Sequence, residues 1–158
     1  RLAGDTGSEA GLIQSFIANS RYRKDWVLRT LHREVFARNP DAAIAILGLA
    51  YKENTHSTKN SPSLALISHL HPWPLRVYDP VVPASAAPHP KAAAGNSPLD
   101  AAQGADALVI MTPWPIFREL KPAELMHTMK GRIIIDPYRI LNGDALDAAG
   151  FAYLTLGV

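Results

Sequence analysis

Residues 45–62 read AILGLAYKENTHSTKNSP. An apolar run ends in a lone glycine, Gly48, and a polar loop holding Lys52 and Lys59 follows. Ser61 and Pro62 then supply a helix N-cap and a residue suited to the first helical position. Strand, polar loop and helix start, in that order, form the place where open α/β sheets hold ligands, beyond the carboxyl end of a strand. A dinucleotide site there needs G-x-G-x-x-G, so that the backbone can approach a pyrophosphate. Here Gly48 is followed by Leu49, Ala50 and bulky Tyr51, so the loop offers side chains to a ligand rather than bare backbone.

The same texture recurs on both sides. The segments AIAILGL (43–49), LRVYD (75–79), ALVIMT (107–112), RIIID (132–136) and FAYLTLG (151–157) are short, apolar and rich in β-branched or aromatic residues. Between them lie helical candidates at 62–70, 98–104, 115–120 and 143–149. Nearly continuous apolar strands alternating with helices imply a parallel sheet covered on both faces. The expected fold class is α/β, a Rossmann-like doubly wound parallel sheet of about five or six strands, preceded by a helical segment. Residues 80–98, with prolines at 80, 83, 88, 90 and 98, read as an unpatterned surface connection. Upstream, Leu12, Ile13, Phe16, Ile17, Val27, Leu28, Leu31 and Val35 recur at three- and four-residue steps, which predicts helix over 8–37, either continuous or broken near Asn19-Ser20. The expected division is a helical segment over 1–38 and a Rossmann-like domain over 39–158.

Length and composition narrow the function. A chain of 158 residues is one domain with a proper core. It has no cysteine, which excludes disulfides, thiolate metal sites and a cysteine nucleophile within these residues. No apolar run approaches membrane-spanning length, the first residues given do not read as a signal peptide, and the expected location is cytoplasmic. The net charge of +2 is small. The one basic run, from Arg21 through Arg23, Lys24, Arg29 and Arg33 to Arg38, is interleaved with Asp25 and Glu34 and reads as a solvated helix surface. Neither nucleic acid nor a membrane is an expected partner.

The strand ends collect a short set of polar residues: Tyr51, Lys52 and Thr55 after the first strand, Asp79 after the second, Thr112 and Trp114 after the third, and Asp136, Tyr138 and Arg139 after the fourth. The set mixes cations, hydroxyls and aromatics without a proton-transfer pair, and suits gripping a phosphorylated or nucleotide-like ligand better than breaking bonds. No catalytic residue and no metal ligand is assigned. His69 and His71 lack a third ligand nearby, and no G-x-S-x-G elbow is present. Trp114 and Phe117 are equally compatible with a stacking platform and with packing of a helix on the sheet.

Taken together, these motifs resemble a known family. GLAYKENTHSTKNSP is similar to the segment G-L-A-F-K-x-x-T-D-D-x-R-x-S-P of the UDP-glucose/GDP-mannose dehydrogenases. VYDP (77–80), GADALVIMTPWPIF (104–117) and IIIDPYRIL (133–141) follow in the family's order and at about its spacing. The resemblance covers essentially residues 40–158, and the preceding helix is similar to the end of the family's connecting helix. It implies a C-terminal, Rossmann-like domain that grips a nucleotide sugar, UDP-linked rather than GDP-linked. In the complete enzyme, an N-terminal domain binds NAD and a helical segment forms a homodimer. The implied reaction oxidises the sugar C6 alcohol to a carboxylate in two NAD-dependent steps, through a thiohemiacetal on a cysteine. That cysteine and the NAD glycine motif are absent from these residues, so the fragment is expected to be inactive alone.

Carried over residue by residue, the resemblance implies that Lys52, with Tyr51, contacts the nucleotide sugar. Lys59 stands where the family usually has an arginine reaching toward NAD. The D-D pair is replaced by His56-Ser57, and where the family often shows D-G-R this chain has Tyr138 at the arginine's place and Arg139 one residue later. Tyr138 and Arg139 are therefore the further expected substrate contacts. The alternative reading is a non-catalytic nucleotide-binding or dimerisation module that kept the fold and lost the chemistry.

Overall fold

A computed structural model describes residues 9–157 of the chain. Six strands form one sheet: β1 (Ile44–Leu47), β2 (Leu75–Tyr78), β3 (Ala93–Ala94), β4 (Ala107–Ile110), β5 (Ile133–Asp136) and β6 (Ala152–Thr155). Their order is β3-β2-β1-β4-β5-β6, and each neighbouring pair is parallel. This is the order of a doubly wound α/β sheet, whose connection reverses direction between β1 and β4. The register aligns Ile44 with Leu75 on one side and with Ala107 on the other. The carboxyl ends of β1, β2 and β4 therefore finish level.

Helices α1 (Glu9–Thr30), α2 (Pro62–Ile67), α3 (Pro98–Ala102), α4 (Pro122–Thr128) and α5 (Gly143–Ala148) accompany the strands. Every residue of β1 and β4 is buried, as expected for central strands covered on both faces. Ser61, Ser97 and Asn142 cap the N-termini of α2, α3 and α5 with their side-chain oxygens, and Pro62 and Pro98 occupy first-turn positions. Among the described residues no helix is long and apolar enough to cross a membrane.

The expected upstream helix runs without a break at Asn19-Ser20, and widens into a π-type turn over Leu31–Phe36. Its expected start at residue 8, like the rest of residues 1–8, lies outside the described residues. The two halves of this helix differ. Val27, Leu31, Val35 and Phe36 are buried in the same core as the sheet. Phe36 stacks on Trp73 with ring centroids 3.8 Å apart, and the Trp73 indole donates to the Pro40 carbonyl at 2.9 Å. These contacts fix the helix end to the turn that leads into β2. In the other half, Leu12, Ile13 and Phe16 are exposed.

Two expectations are corrected. The 80–98 connection contains strand β3, a two-residue edge strand paired through Arg76–Ala93 and Val77–Ala94. Its two alanines are exposed and carry no alternation that a sequence reading can detect. The helix expected at 115–120 is a 3-10 turn over Pro115–Glu119, and the α-helix follows at Pro122–Thr128. Prolines at 115 and 122 split the segment, since each removes a backbone donor.

Candidate functional site

The polar backbone at the carboxyl end of β1 is consumed within the protein. Gly48 donates to Tyr78 O at 2.8 Å and its carbonyl accepts from the Ser63 hydroxyl at 2.6 Å. Leu49 N and Ala50 N both donate to Asp79 Oδ2, at 2.7 and 3.0 Å. The carbonyls of Leu49 and Ala50 accept from Ser61 Oγ and Thr112 Oγ1, each at 2.7 Å. Gly48 itself is required by geometry: its φ is +95°, and a Cβ there would lie 2.5 Å from Thr112. The lone glycine thus lets β1 and β4 approach at the switch point, and it does not serve a phosphate.

Asp79 completes this closure. Its Oδ2 also accepts from Trp114 Nε1 at 3.0 Å, and its Oδ1 accepts from Val81 N and Val82 N, each at 2.9 Å. In a dinucleotide fold the acid after the second strand is the one that holds a ribose. Here it ties together the turns after β1 and β2 and the indole after β4. The residues of this crevice do not fit NAD bound in the Rossmann manner. Trp114 and Phe117 are packing residues, both buried, with Phe117 edge-on to Tyr78 at 6.3 Å.

The turn after β5 is built the same way. Asp136, fully buried, accepts from Tyr138 N at 3.0 Å, Ile140 N at 2.8 Å, Leu141 N at 3.1 Å and the Tyr153 hydroxyl at 2.7 Å. This cap bends the chain, and Arg139 takes a left-handed φ of 55°. Consecutive side chains then part. Tyr138 turns toward β4 and donates its hydroxyl to Met111 O at 2.9 Å. Arg139 turns toward β6, where Nε donates to Thr155 Oγ1 at 3.3 Å and an Nη donates to Gly157 O at 3.0 Å.

A cleft of about 450 Å³ remains at this carboxyl edge, walled by Tyr51, Lys52 and Glu53 after β1, Pro113 after β4, Tyr138 after β5, and one face of α1. That volume is in the range of small-ligand sites, about 300–1,000 Å³. A smaller hollow of about 250 Å³ between α1 and α2 shares Tyr51 and Pro62 with it. A cavity of about 510 Å³, lined by His71, Trp73, Arg76 and His89, lies at the opposite, amino-terminal edge of the strands. Position decides between them, because ligands of doubly wound sheets sit beyond the carboxyl ends.

The structure therefore brings Tyr51, Lys52 and Tyr138 to one cleft, and it places Arg139 on β6 and exposed Lys59 outside that lining. Burial raises the Tyr138 phenol above its ordinary pKa, with the Arg23 guanidinium partly opposing the shift. The phenol is a donor at neutral pH. Two charged lining residues, Arg23 and Glu53, were not anticipated as site residues. Arg23 falls in the basic run that reads as a solvated helix surface, and no spacing signal connects it to the β1 loop. Its guanidinium carbon lies 4.7 Å from the centroid of the Tyr138 ring, a cation–π distance.

Comparison with known proteins agrees with this fold. Residues 45–143 match the UDP-glucose/GDP-mannose dehydrogenase family, UDP binding domain. The UDP-glucose 6-dehydrogenase of Pseudomonas aeruginosa is 30% identical, over 99% of this chain and 37% of its own length. That of Rhizobium meliloti is 33% identical, over 99% and 37%, and the rat enzyme is 31% identical, over 91% and 33%. The chain thus spans about a third of the length of these relatives. Among solved structures, the UDP-D-ManNAc dehydrogenase of Pyrococcus horikoshii superposes with a TM-score of 0.66 at 29% identity, covering 82% of this chain and 30% of that one. The NDP-N-acetyl-D-galactosaminuronic acid dehydrogenase of Methanosarcina mazei shares the fold, with a TM-score of 0.69 at 19% identity over 87% of this chain and 29% of that one. The chain belongs to the UDP-glucose/GDP-mannose dehydrogenase family, as its C-terminal, UDP-binding domain.

Proposed function

We propose that this chain forms the sugar-nucleotide side of the active-site cleft in an NAD-dependent nucleotide-sugar 6-dehydrogenase, with a UDP-sugar as ligand. The observation that carries the reading is the cleft beyond β1, β4 and β5, where Tyr51, Lys52 and Tyr138 converge while the surrounding backbone is already satisfied. Ligand recognition there falls to side chains. Lys52 offers an ammonium charge on a flexible stem to a phosphate, and Tyr51 and Tyr138 offer ring faces and walls.

In this reading the complete enzyme converts the C6 alcohol to a carboxylate, and NAD, when bound, accepts the hydrides. The crevice between β1 and β2 is closed by Asp79, so NAD is assigned to a part of the enzyme other than this fold. Lys59, exposed on the β1 loop, is the residue proposed to reach toward it. The work of this chain is to bind, orient and wall off the sugar nucleotide. The exposed Leu12, Ile13 and Phe16 stripe of α1 is proposed to be covered in the homodimer of the complete enzyme.

The test is calorimetric titration of the chain with UDP, with Lys52→Ala alongside. A charge-assisted phosphate contact is worth about tenfold or more in affinity, so Lys52→Ala is expected to weaken UDP binding by about that factor. Equal affinities for the two proteins refute the assignment.

A further inference from the structure

The cleft has a second cation, and it comes from the helix that precedes the sheet. Arg23 lies near the middle of α1, lines the same cleft as Lys52, and holds its guanidinium over the Tyr138 ring. Neither Arg23 nor Lys52 belongs to an ion pair among the described residues, although Lys24, Arg33, Arg38, Arg76 and Lys130 all do. The Arg23 guanidinium carbon sits 4.7 Å from the ring centroid, and the group's five N–H donors are more than one phenol can take up, which leaves donors for other acceptors. Tyr138 is a firm base for it, because its hydroxyl is tied to Met111 O. Half-buried Arg23 is thereby pre-positioned, and it needs little further ordering to meet a ligand.

We propose that Arg23 is a ligand-binding residue of this cleft, clasping the diphosphate of a nucleoside diphosphate opposite Lys52, with Tyr138 as its platform. The inference rests on the proposed function, since it takes the same cleft and ligand class, and it adds a contact that joins α1 to the sheet domain. Two cations lining one cleft suit a ligand with two adjacent phosphates better than a single one. Glu53 and Asn19, on the same lining, offer acceptors to hydroxyls rather than to phosphates. The helix is then more than a tether: its rotation or displacement would remove one jaw of the clasp.

The experiment compares the parent chain with Arg23→Gln, Arg23→Lys, Lys52→Ala and, as a control on the exposed face of α1, Arg29→Gln. Each is titrated with UDP and with UMP. Arg23→Gln is expected to bind UDP about tenfold more weakly and to lose most of the preference for UDP over UMP. Arg23→Lys should fall between parent and Arg23→Gln, because it keeps the charge and loses the planar fork. Arg29→Gln should match the parent. If Arg23 merely supported Tyr138, UDP and UMP would weaken by the same factor, and that result overturns the proposal. UDP affinity unchanged in Arg23→Gln but reduced in Lys52→Ala overturns the Arg23 clasp and leaves the proposed function standing. Affinity unchanged in both, or a parent that binds no UDP at millimolar concentration, overturns the two together.

Discussion

Replacing Asp79 by asparagine tests how the ligand edge of the sheet is held. The carboxylate accepts from Leu49 N, Ala50 N and Trp114 Nε1 at Oδ2, and from Val81 N and Val82 N at Oδ1. An asparagine can keep only one of these oxygens. In its better orientation the amide oxygen stays with the first three donors, and the amide NH2 faces the N–H groups of Val81 and Val82. Two donors then lose their acceptor, at about 1–3 kcal/mol each, and the remaining three trade a charged acceptor for a neutral one. The expected loss is about 4 kcal/mol, against a total stability of about 5–15 kcal/mol for an ordinary domain. Asp79→Ala strands all five donors and is expected not to fold stably. Urea unfolding followed by tryptophan fluorescence measures the effect, with Trp114 as a reporter at the altered site. Asp79→Asn within about 1 kcal/mol of the parent, at an unchanged m-value, would refute the claim that Asp79 is the tie rather than a ligand contact.

Other consequences follow from the same geometry. Gly48→Ala puts a Cβ 2.5 Å from Thr112 at a φ of +95°, so a loss of about 3 kcal/mol or more is expected in thermal or urea unfolding; a loss below about 1 kcal/mol would contradict the close approach. Tyr153 donates to buried Asp136, and burial together with that carboxylate raises the phenol's pKa above its ordinary value of 10.0. Its folded-state pKa exceeds the unfolded one, so its contribution is full below about pH 10 and is lost as pH rises beyond it. Tyr153→Phe should therefore cost about 1–2 kcal/mol at neutral pH and flatten the alkaline fall in the urea midpoint; parallel pH profiles for the two proteins would contradict this.

Much of the fold was readable because central strands of a parallel sheet are buried on both faces and must be continuously apolar. AIAILGL and ALVIMT show that, and they became β1 and β4 at the centre. The signal fails where burial fails. β3 is two exposed alanines whose pairing is made entirely by backbone, so no side-chain pattern announces it. The helix expected at 115–120 became a 3-10 turn because Pro115 and Pro122 fit a helix start in composition but each removes a backbone donor, so the α-helix begins only at Pro122.

The site was legible in part for a similar reason. Tyr51, Lys52 and Tyr138 follow strand ends, so topology alone brings them to the ligand edge. Their neighbours Asp79, Thr112 and Asp136 stand at equivalent strand ends but are internal acceptors and donors, a distinction that depends on which N–H groups lie within 3 Å and that no spacing encodes. Arg139 shows the limit most clearly. One left-handed residue in a turn capped by Asp136 sends it to Thr155 and Gly157 instead of toward Tyr138's cleft. Arg23 reaches the cleft by the packing of α1 against the domain, a tertiary fact absent from local sequence.

The most direct test of the central claim is an amide chemical-shift titration of the chain with UDP. The account predicts shifts concentrated at Asn19, Tyr51, Lys52, Glu53 and Tyr138, the residues of the carboxyl-edge cleft. Shifts gathered instead around His71, Arg76, His89 and Lys91 at the opposite edge, or none at millimolar UDP, would contradict it.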